Sequence, residues 1–511
     1  MIAPDVKTVR LLDRLTIEGG TPGLTLMERA AKGLVEAALE MTAELKRPAR
    51  ILVLCGKGNN GGDGLLAAVG LKNAGAKVTC FLALGGETLQ HDTRTALSRV
   101  RKASLACLDG RQAPLPAWHQ FDLILDALFG TGFTLPLTES IRKLTRAVNL
   151  SGIPVLSADV PTGVDADTGA ADSDALFADL TVTFGLPKRG LFFFPARTHV
   201  GDLRVQEIGL NLDPLRSLSR PLHVIDRTLA AGRLPKRAED AHKKSCGRVL
   251  VVAGSKGMTG AAVLTAHAAL KSGAGIVTLA TPESLNTIFE IKLTEEMTLP
   301  LPDAGKGRFT ASHTQPLLNA LAEYDVLAIG PGLSRHPDVF KMVRELVLKS
   351  PVPVILDADG INAFEGKAAL LKKAKSSVVI TPHEGEFRRL TGEKEMGQGP
   401  TRINTLLNWQ NKLSVAVVLK GAPTLIAFSP DYACVNTTGN PGMATAGAGD
   451  VLTGLIAGLF AQSGDLEGAA ISGVFLHGLS GDAAVVEQTD YVVSALDLIR
   501  YLPHAFKEIE R

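Results

Sequence analysis

Short apolar runs recur along this chain, each ending in a loop of glycine, aspartate, asparagine or proline. In the first half they lie at about residues 51–54, 78–82, 123–125, 155–158 and 180–184, with helical stretches such as 65–74 and 141–149 between them. In the second half they lie at 249–253, 276–280, 326–329, 354–357, 378–381 and 415–420. Runs this short and this uniformly apolar suit parallel strands buried on both faces, and their alternation with helices predicts an α/β fold of two doubly wound domains. In such sheets ligands bind beyond the C-terminal strand ends, so the loops that follow the runs are where function is sought.

At 511 residues the chain exceeds one ordinary core. The join is expected between about residues 210 and 248, giving domains of 1–215 and 216–511. A net charge of +2 advertises neither nucleic acid nor an anionic membrane as partner. Five scattered cysteines form no C-x-x-C pair, which argues against a disulfide framework or a zinc site. With no basic-then-apolar leader and no long uncharged apolar run, a cytoplasmic protein without a membrane span is expected.

The strand at 51–54 runs into Cys55-Gly56-Lys57-Gly58-Asn59-Asn60-Gly61-Gly62-Asp63-Gly64, read as a glycine loop opening a helix. It matches neither G-x-G-x-x-G with a distant acid nor a G-K-[ST] ending, so ordinary dinucleotide or P-loop binding is a poor fit. Its amides and carboxylate suit a sugar, an amide or a weakly held monovalent cation. Two further loops, Asp126-Ala127-Leu128-Phe129-Gly130-Thr131-Gly132-Phe133 and Ala158-Asp159-Val160-Pro161-Thr162-Gly163, follow strands of the same predicted sheet. Each aspartate alone is more often a turn or cap residue; three such loops together favour one shared site.

These segments, with Leu26-Met27-Glu28-Arg29-Ala30 and Thr183-Phe184-Gly185-Leu186-Pro187-Lys188, resemble the YjeF N-terminal domain, the NAD(P)HX epimerases, over about residues 5–212. The resemblance implies a Rossmann-like domain. It implies that Asn59, Asn60, Gly61, Gly62 and Asp63, then Gly130, Thr131, Gly132, Phe133, Thr134, Leu135 and Pro136, and Asp159, contact a hydrated nicotinamide nucleotide. It also implies a potassium ion on Asn60, Asp126 and Thr162. Epimerisation needs proton movement on opposite faces of a ring, and Asp159 is the candidate for that work.

In the second half the segment Asn440-Pro441-Gly442-Met443-Ala444-Thr445-Ala446-Gly447-Ala448-Gly449-Asp450 enters an apolar helix near Asp450. Unpaired N–H groups at a helix start favour an anion there. A carboxylate beside such an anion hole makes sense if it deprotonates a hydroxyl about to meet a phosphate; an N-cap aspartate is the plain alternative. Further loops at 254–262, 330–333, 357–362, 381–387 and 419–424 follow predicted strands. Together with the G-A-G-D segment they resemble the ribokinase-like fold and, more closely, the ADP- or ATP-dependent NAD(P)HX dehydratases over about residues 225–505. The resemblance implies that Ala262, Gly332, His383 and Asp450 contact the hydrated nucleotide, and that Lys420, Gly421, Ala422, Pro423, Thr424 and Gly449 contact the adenine nucleotide. ADP is the implied co-substrate, and Mg²⁺ is expected with it, without a named ligand. Two departures stand out: His242-Lys243-Lys244 where the family usually has His-Lys-Gly, and Thr294 where it usually has proline.

The expected function is therefore repair of hydrated NADH and NADPH, by epimerisation of the R and S forms and ADP-driven dehydration of S, giving AMP and phosphate. The alternatives are a ribokinase-like small-molecule kinase whose product keeps its phosphate, fused to a nucleotide-binding module, and a non-catalytic first half. Large apolar helices in both halves permit assembly, and a homo-oligomer is expected.

Overall fold

The apolar runs of the first half become the middle of a seven-stranded parallel sheet in the computed structural model, which describes residues 1–86 and 89–510. Its strands are β1 (Arg50–Cys55), β2 (Lys77–Leu82), β3 (Ala106–Asp109), β4 (Leu123–Ala127), β5 (Val155–Ala158), β6 (Leu180–Phe184) and β7 (Asp202–Gln206). The order is β3-β2-β1-β4-β5-β6-β7, so the strand order reverses between β1 and β4. That is the switch point at which doubly wound sheets open a crevice. Two strands went unread in the sequence. β3 and β7 are the edges, where half-exposed sequences such as Asp202-Leu203-Arg204-Val205-Gln206 carry no apolar run.

The helix expected at 65–74 spans Asn59–Asn73, with Gly58 in extended conformation as its N-cap. The G-N-N-G-G-D-G segment is thus the opening of the helix, not a loop before it. This keeps Asn60 and Asp63 on a rigid element.

In the second half β8 (Leu222–Ile225), β9 (Arg248–Val252), β10 (Ile276–Pro282), β11 (Met297–Leu301), β12 (Val326–Ile329), β13 (Val354–Leu356), β14 (Val378–Ile380), β15 (Ala416–Leu419), β16 (Leu425–Ser429) and β17 (Tyr432–Asn436) form a ten-stranded sheet. The order is β11-β10-β9-β12-β13-β14-β15-β16-β17-β8, and only the pairs of β16 are antiparallel. The chain divides into two compact units, residues 2–221 with 398–400, and Met1 with 222–397 and 401–511. Because β8 pairs with β17, the change-over falls a few residues beyond the expected 215/216.

The helix Ala448–Ser463 is apolar on nearly every side and buried, as an all-round hydrophobic helix must be. It packs on Thr259–Lys271, and Gly454 allows the contact: a side chain there would strike the carbonyl of Thr265 and, at 2.9 Å, the methyl of Ala268. Leu466–Glu487 is the one helix among the described residues long and apolar enough to cross a membrane, but 72% of its apolar window lies inside this core.

Candidate active sites

In the first unit, the carboxylate of Asp126 on β4 is fully buried and takes four hydrogen bonds. These come from Thr162 N (2.9 Å) and Oγ1 (2.7 Å), Ser157 Oγ (3.1 Å) and Leu128 N (3.2 Å). Burial raises its pKa and these donors work against that rise. Asn60 Nδ2 donates to the carbonyls of Phe129 (2.8 Å) and Ala158 (3.1 Å), tying the helix start to the ends of β4 and β5. With the amide so oriented, Asn60 Oδ1 is buried without a partner.

Asp159, just beyond β5, has a positive φ of 64°, a conformation costly for a non-glycine residue. One carboxylate oxygen accepts from Lys188 Nζ, Phe184 N (3.2 Å) and Thr183 Oγ1 (3.3 Å). The other faces Gly130, 3.1 Å from where a side chain on that glycine would begin. Lys188 is 1% exposed and also donates to Thr183 Oγ1 and the Phe184 carbonyl, both at 3.0 Å. Burial pushes Asp63 well up towards its neutral form; the charges of Asp159 and Asp13 add to the rise and Lys188 opposes it. Asp13 is also raised by burial, against Lys188.

The structure therefore brings together Asn60, Asp63, Gly130 and Asp159, with Asp126 and Thr162 at the same sheet edge. Thr131, Phe133 and Leu135 are half-buried, while Gly132, Thr134 and Pro136 form an exposed rim; Phe133 stacks on Phe129 at 5.4 Å. Asn59 is exposed, Gly61 lies against the backbone of Gly56, and Gly62 abuts the side chain of Met27. Lys188 is the residue sequence reading missed. It stood in the quoted T-F-G-L-P-K segment, but a lysine is so rarely buried that its place in the site could not be read.

In the second unit the helix Ala448–Ser463 starts from Gly447, its N-cap in left-handed conformation (φ 93°). A side chain at Gly447 would meet Leu264 at 2.6 Å and Ala495 at 3.0 Å. Asp450 sits inside the first turn and is not the N-cap, which removes the plain explanation for it. Burial first, then the negative charges of Asp357 and Glu386, raise its pKa to about 7 against the pull of Lys420. Lys420 Nζ donates to Asp357 (2.7 Å), and Thr453 Oγ1 donates to the other oxygen of that carboxylate (2.9 Å). Although burial alone would lower it, Lys420 is raised by Asp357, Glu386 and Asp450 together. Its ammonium lies 2.9 Å from where a side chain on Gly449 would begin, so it sits over the helix start.

His383 is the N-cap of Glu384–Thr391: its Nδ1 accepts from Gly385 N (3.0 Å), while Glu386 accepts from His383 N (2.9 Å). That cap leaves the ring 55% exposed with Nε2 as its proton-bearing nitrogen, 3.4 Å from Glu386. Lys420 N bonds the Pro382 carbonyl at 2.8 Å, so the His383 and Lys420 loops adjoin. Gly332 lies against Met258, and Ser255 Oγ donates to its carbonyl at 2.8 Å. Ala262 is fully buried beneath Gly254. Residues 421–424 form the turn between β15 and β16, with Gly421 and Ala422 exposed. Asp357, Thr453 and His477 are additions to the sequence reading. His477 Nε2 donates to the Ala448 carbonyl (2.9 Å), and burial pushes the ring down to about 4, so it braces the helix start as a neutral group.

Fold and sites define a two-site α/β enzyme, each site at the C-terminal edge of its own sheet. A family model described as NAD(P)H-hydrate dehydratase matches residues 249–504, and one described as YjeF-related protein N-terminus matches residues 23–190. The bifunctional NAD(P)H-hydrate repair enzyme Nnr of Moorella thermoacetica is 40% identical over 98% of this chain and 95% of its own length. That of Thermofilum pendens is 36% identical over 99% of this chain and 96% of its own. A solved ADP/ATP-dependent NAD(P)H-hydrate dehydratase from Bacillus subtilis is 31% identical, covers 56% of this chain and 99% of its own, and has a TM-score of 0.49. The chain belongs to the family of bifunctional NAD(P)H-hydrate repair enzymes, the family its motifs resemble.

Proposed function

We propose that the second unit dehydrates the S epimer of hydrated NADH or NADPH with ADP, and that the first unit interconverts the R and S epimers. The observation that carries the first half of this reading is Asp450. It lies at the open start of a helix, beside Lys420, with a pKa of about 7 that suits proton uptake near neutral pH. Asp450 takes the proton of the ring hydroxyl, whose oxygen attacks the terminal phosphorus of ADP and releases AMP. The amides of Ala446, Gly447 and Gly449 and the Lys420 ammonium stabilise charge on the transferred group. Loss of phosphate, with a proton from the neighbouring ring carbon, restores the dihydronicotinamide. His383 Nε2–H and the backbone at Gly332 and Ala262 would orient the substrate, and residues 420–424 the nucleotide.

For the epimerase, two carboxylates differ in the way acid and base partners must. Asp63 is pushed towards its protonated form, and Asp159 is ion-paired with Lys188. Asp63 protonates the departing hydroxyl, and Asp159 takes a proton from the water that adds on the opposite face. Pure R epimer offered to Asp63→Asn and Asp159→Asn should convert at least about 100-fold more slowly in each case. Either variant at full rate removes that residue from the scheme.

A potassium ion fits the first site, because the buried Asn60 Oδ1 has no other partner and Asp126 supplies negative charge beside the Thr162 hydroxyl. Bound there by Asn60, Asp126 and Thr162, it would supply a fixed positive centre for an anionic substrate. Mg²⁺ suits the second site, where Asp357, Glu386 and Asp450 surround a single lysine and the nucleotide adds further negative charge. Among the described residues no three acidic, histidine or cysteine side chains are grouped to hold an ion directly. Such an ion would neutralise phosphate charge while keeping several waters. Five free thiols support a cytoplasmic setting. Exposed Tyr491, Val492 and Leu496 support self-association.

A further inference from the structure

The helix Gly399–Leu413 carries Arg402, whose side chain is only 15% exposed. Its Nη1 donates to Glu384 Oε2 at 2.8 Å, which ties it to the residue after His383. Its Nη2 lies 3.0 Å from where a side chain on Gly421 would begin, so the guanidinium backs onto the turn of residues 420–424. Its Nε is buried and has no hydrogen-bond partner. Arginine has no acceptor capacity and keeps its charge, so a buried donor of this kind stays costly until an acceptor arrives.

The geometry of the side chain says which acceptor. Nε–H and one N–H of Nη2 point the same way along one edge of the planar group, and that edge matches two oxygens of one phosphate. Glu384 occupies the Nη1 end, and the Nε of the other edge is left without a hydrogen-bond partner. The neighbouring position is Gly421, with no side chain to stand between the edge and a ligand. Lys420 of the same turn is already engaged by Asp357, so its charge is shared with the site's own carboxylate. An anionic nucleotide on this turn therefore needs a second cation.

We infer that Arg402 is a phosphate-binding residue for the adenine nucleotide, gripping one of its phosphates through the Nε–Nη2 edge while Glu384 holds the guanidinium in place. This rests on the reading of the second unit as an ADP-dependent dehydratase.

Steady-state recovery of NADH from S-NADHX, with ADP and Mg²⁺, tests it in the full chain, alongside calorimetric titration with ADP alone. Wild-type protein comes first: no ADP-dependent recovery would defeat the reading of the unit, independently of Arg402. Given recovery, Arg402→Met should raise KM and Kd for ADP about 10- to 100-fold, with KM for S-NADHX unchanged. Arg402→Lys keeps the charge but loses the fork and should fall between. Glu384→Gln removes the ion pair yet keeps the arginine, and should shift KM for ADP by less than about threefold. An ADP affinity unchanged in Arg402→Met and Arg402→Lys, both with wild-type melting temperatures, would overturn the inference. So would equal effects of Arg402→Lys and Glu384→Gln, which would make the arginine a structural clasp, or a rise in KM for S-NADHX in place of ADP.

Discussion

Asp159 and Asp450 are the same residue type at the same kind of place, the C-terminal edge of a parallel sheet, and the protein treats them in opposite ways. Asp159 is locked: a buried lysine and two further donors fix one oxygen, and a strained backbone aims the other at Gly130. Asp450 is held by position alone, in the first turn of a helix, and its nearest lysine is committed to Asp357. A buried carboxylate is lifted towards neutral pH when it is denied a cation of its own. Burial and two like charges take Asp450 to about 7.

Asp450→Asn should lower ADP-dependent recovery of NADH by about 10²- to 10⁴-fold while leaving epimer interconversion at wild-type rate, measured by absorbance and by separation of the epimers. Comparable loss of both activities would mean that the two sites are not chemically separate.

Lys188→Met strands Asp159 in a buried site (side-chain exposures of 1% and 11%). It should cost roughly 3–5 kcal/mol in urea unfolding of the first unit and abolish epimerisation. Adding Asp159→Asn should return much of that stability and none of the activity.

For Asp450 the sign reverses. Its pKa rises from 3.8 to about 7 on folding, so the carboxylate form opposes folding: this loss of stability sets in above pH ~4 and levels off above about 7. Asp450→Asn should therefore stabilise the second unit at pH 8, by no more than about 4 kcal/mol, with the gain vanishing towards pH 4. A smaller effect sharpens the same point: kcat/KM of the dehydratase should fall about tenfold per pH unit below about 7, as Asp450 takes up a proton.

The central strands and the loops after them were legible because a strand covered on both faces must be an unbroken apolar run. β3, β7, β8, β11, β16 and β17 were not: β3, β7 and β11 are edge strands with outward-facing side chains, β8 is an edge run interrupted by His223, and β16 and β17 pair locally as a hairpin. The small-residue segments marked both site edges, but they concealed that residues 59–64 already belong to a helix. Asp159 and Asp450 stood out by their motifs. The pairings around them did not: nothing in the sequence marks Lys188 as buried, and Lys420, read as a nucleotide contact, shows its engagement by Asp357 only once the chain is folded.

Pure R-NADHX offered with ADP and Mg²⁺, with initial rates followed at 340 nm, separates the two sites and their two chemistries. Wild-type protein should recover NADH from it, and Asp159→Asn should not, while still recovering NADH from S-NADHX at the wild-type rate. Equal recovery from R-NADHX by wild type and Asp159→Asn would contradict that separation, because the first site would then have no part in supplying the second.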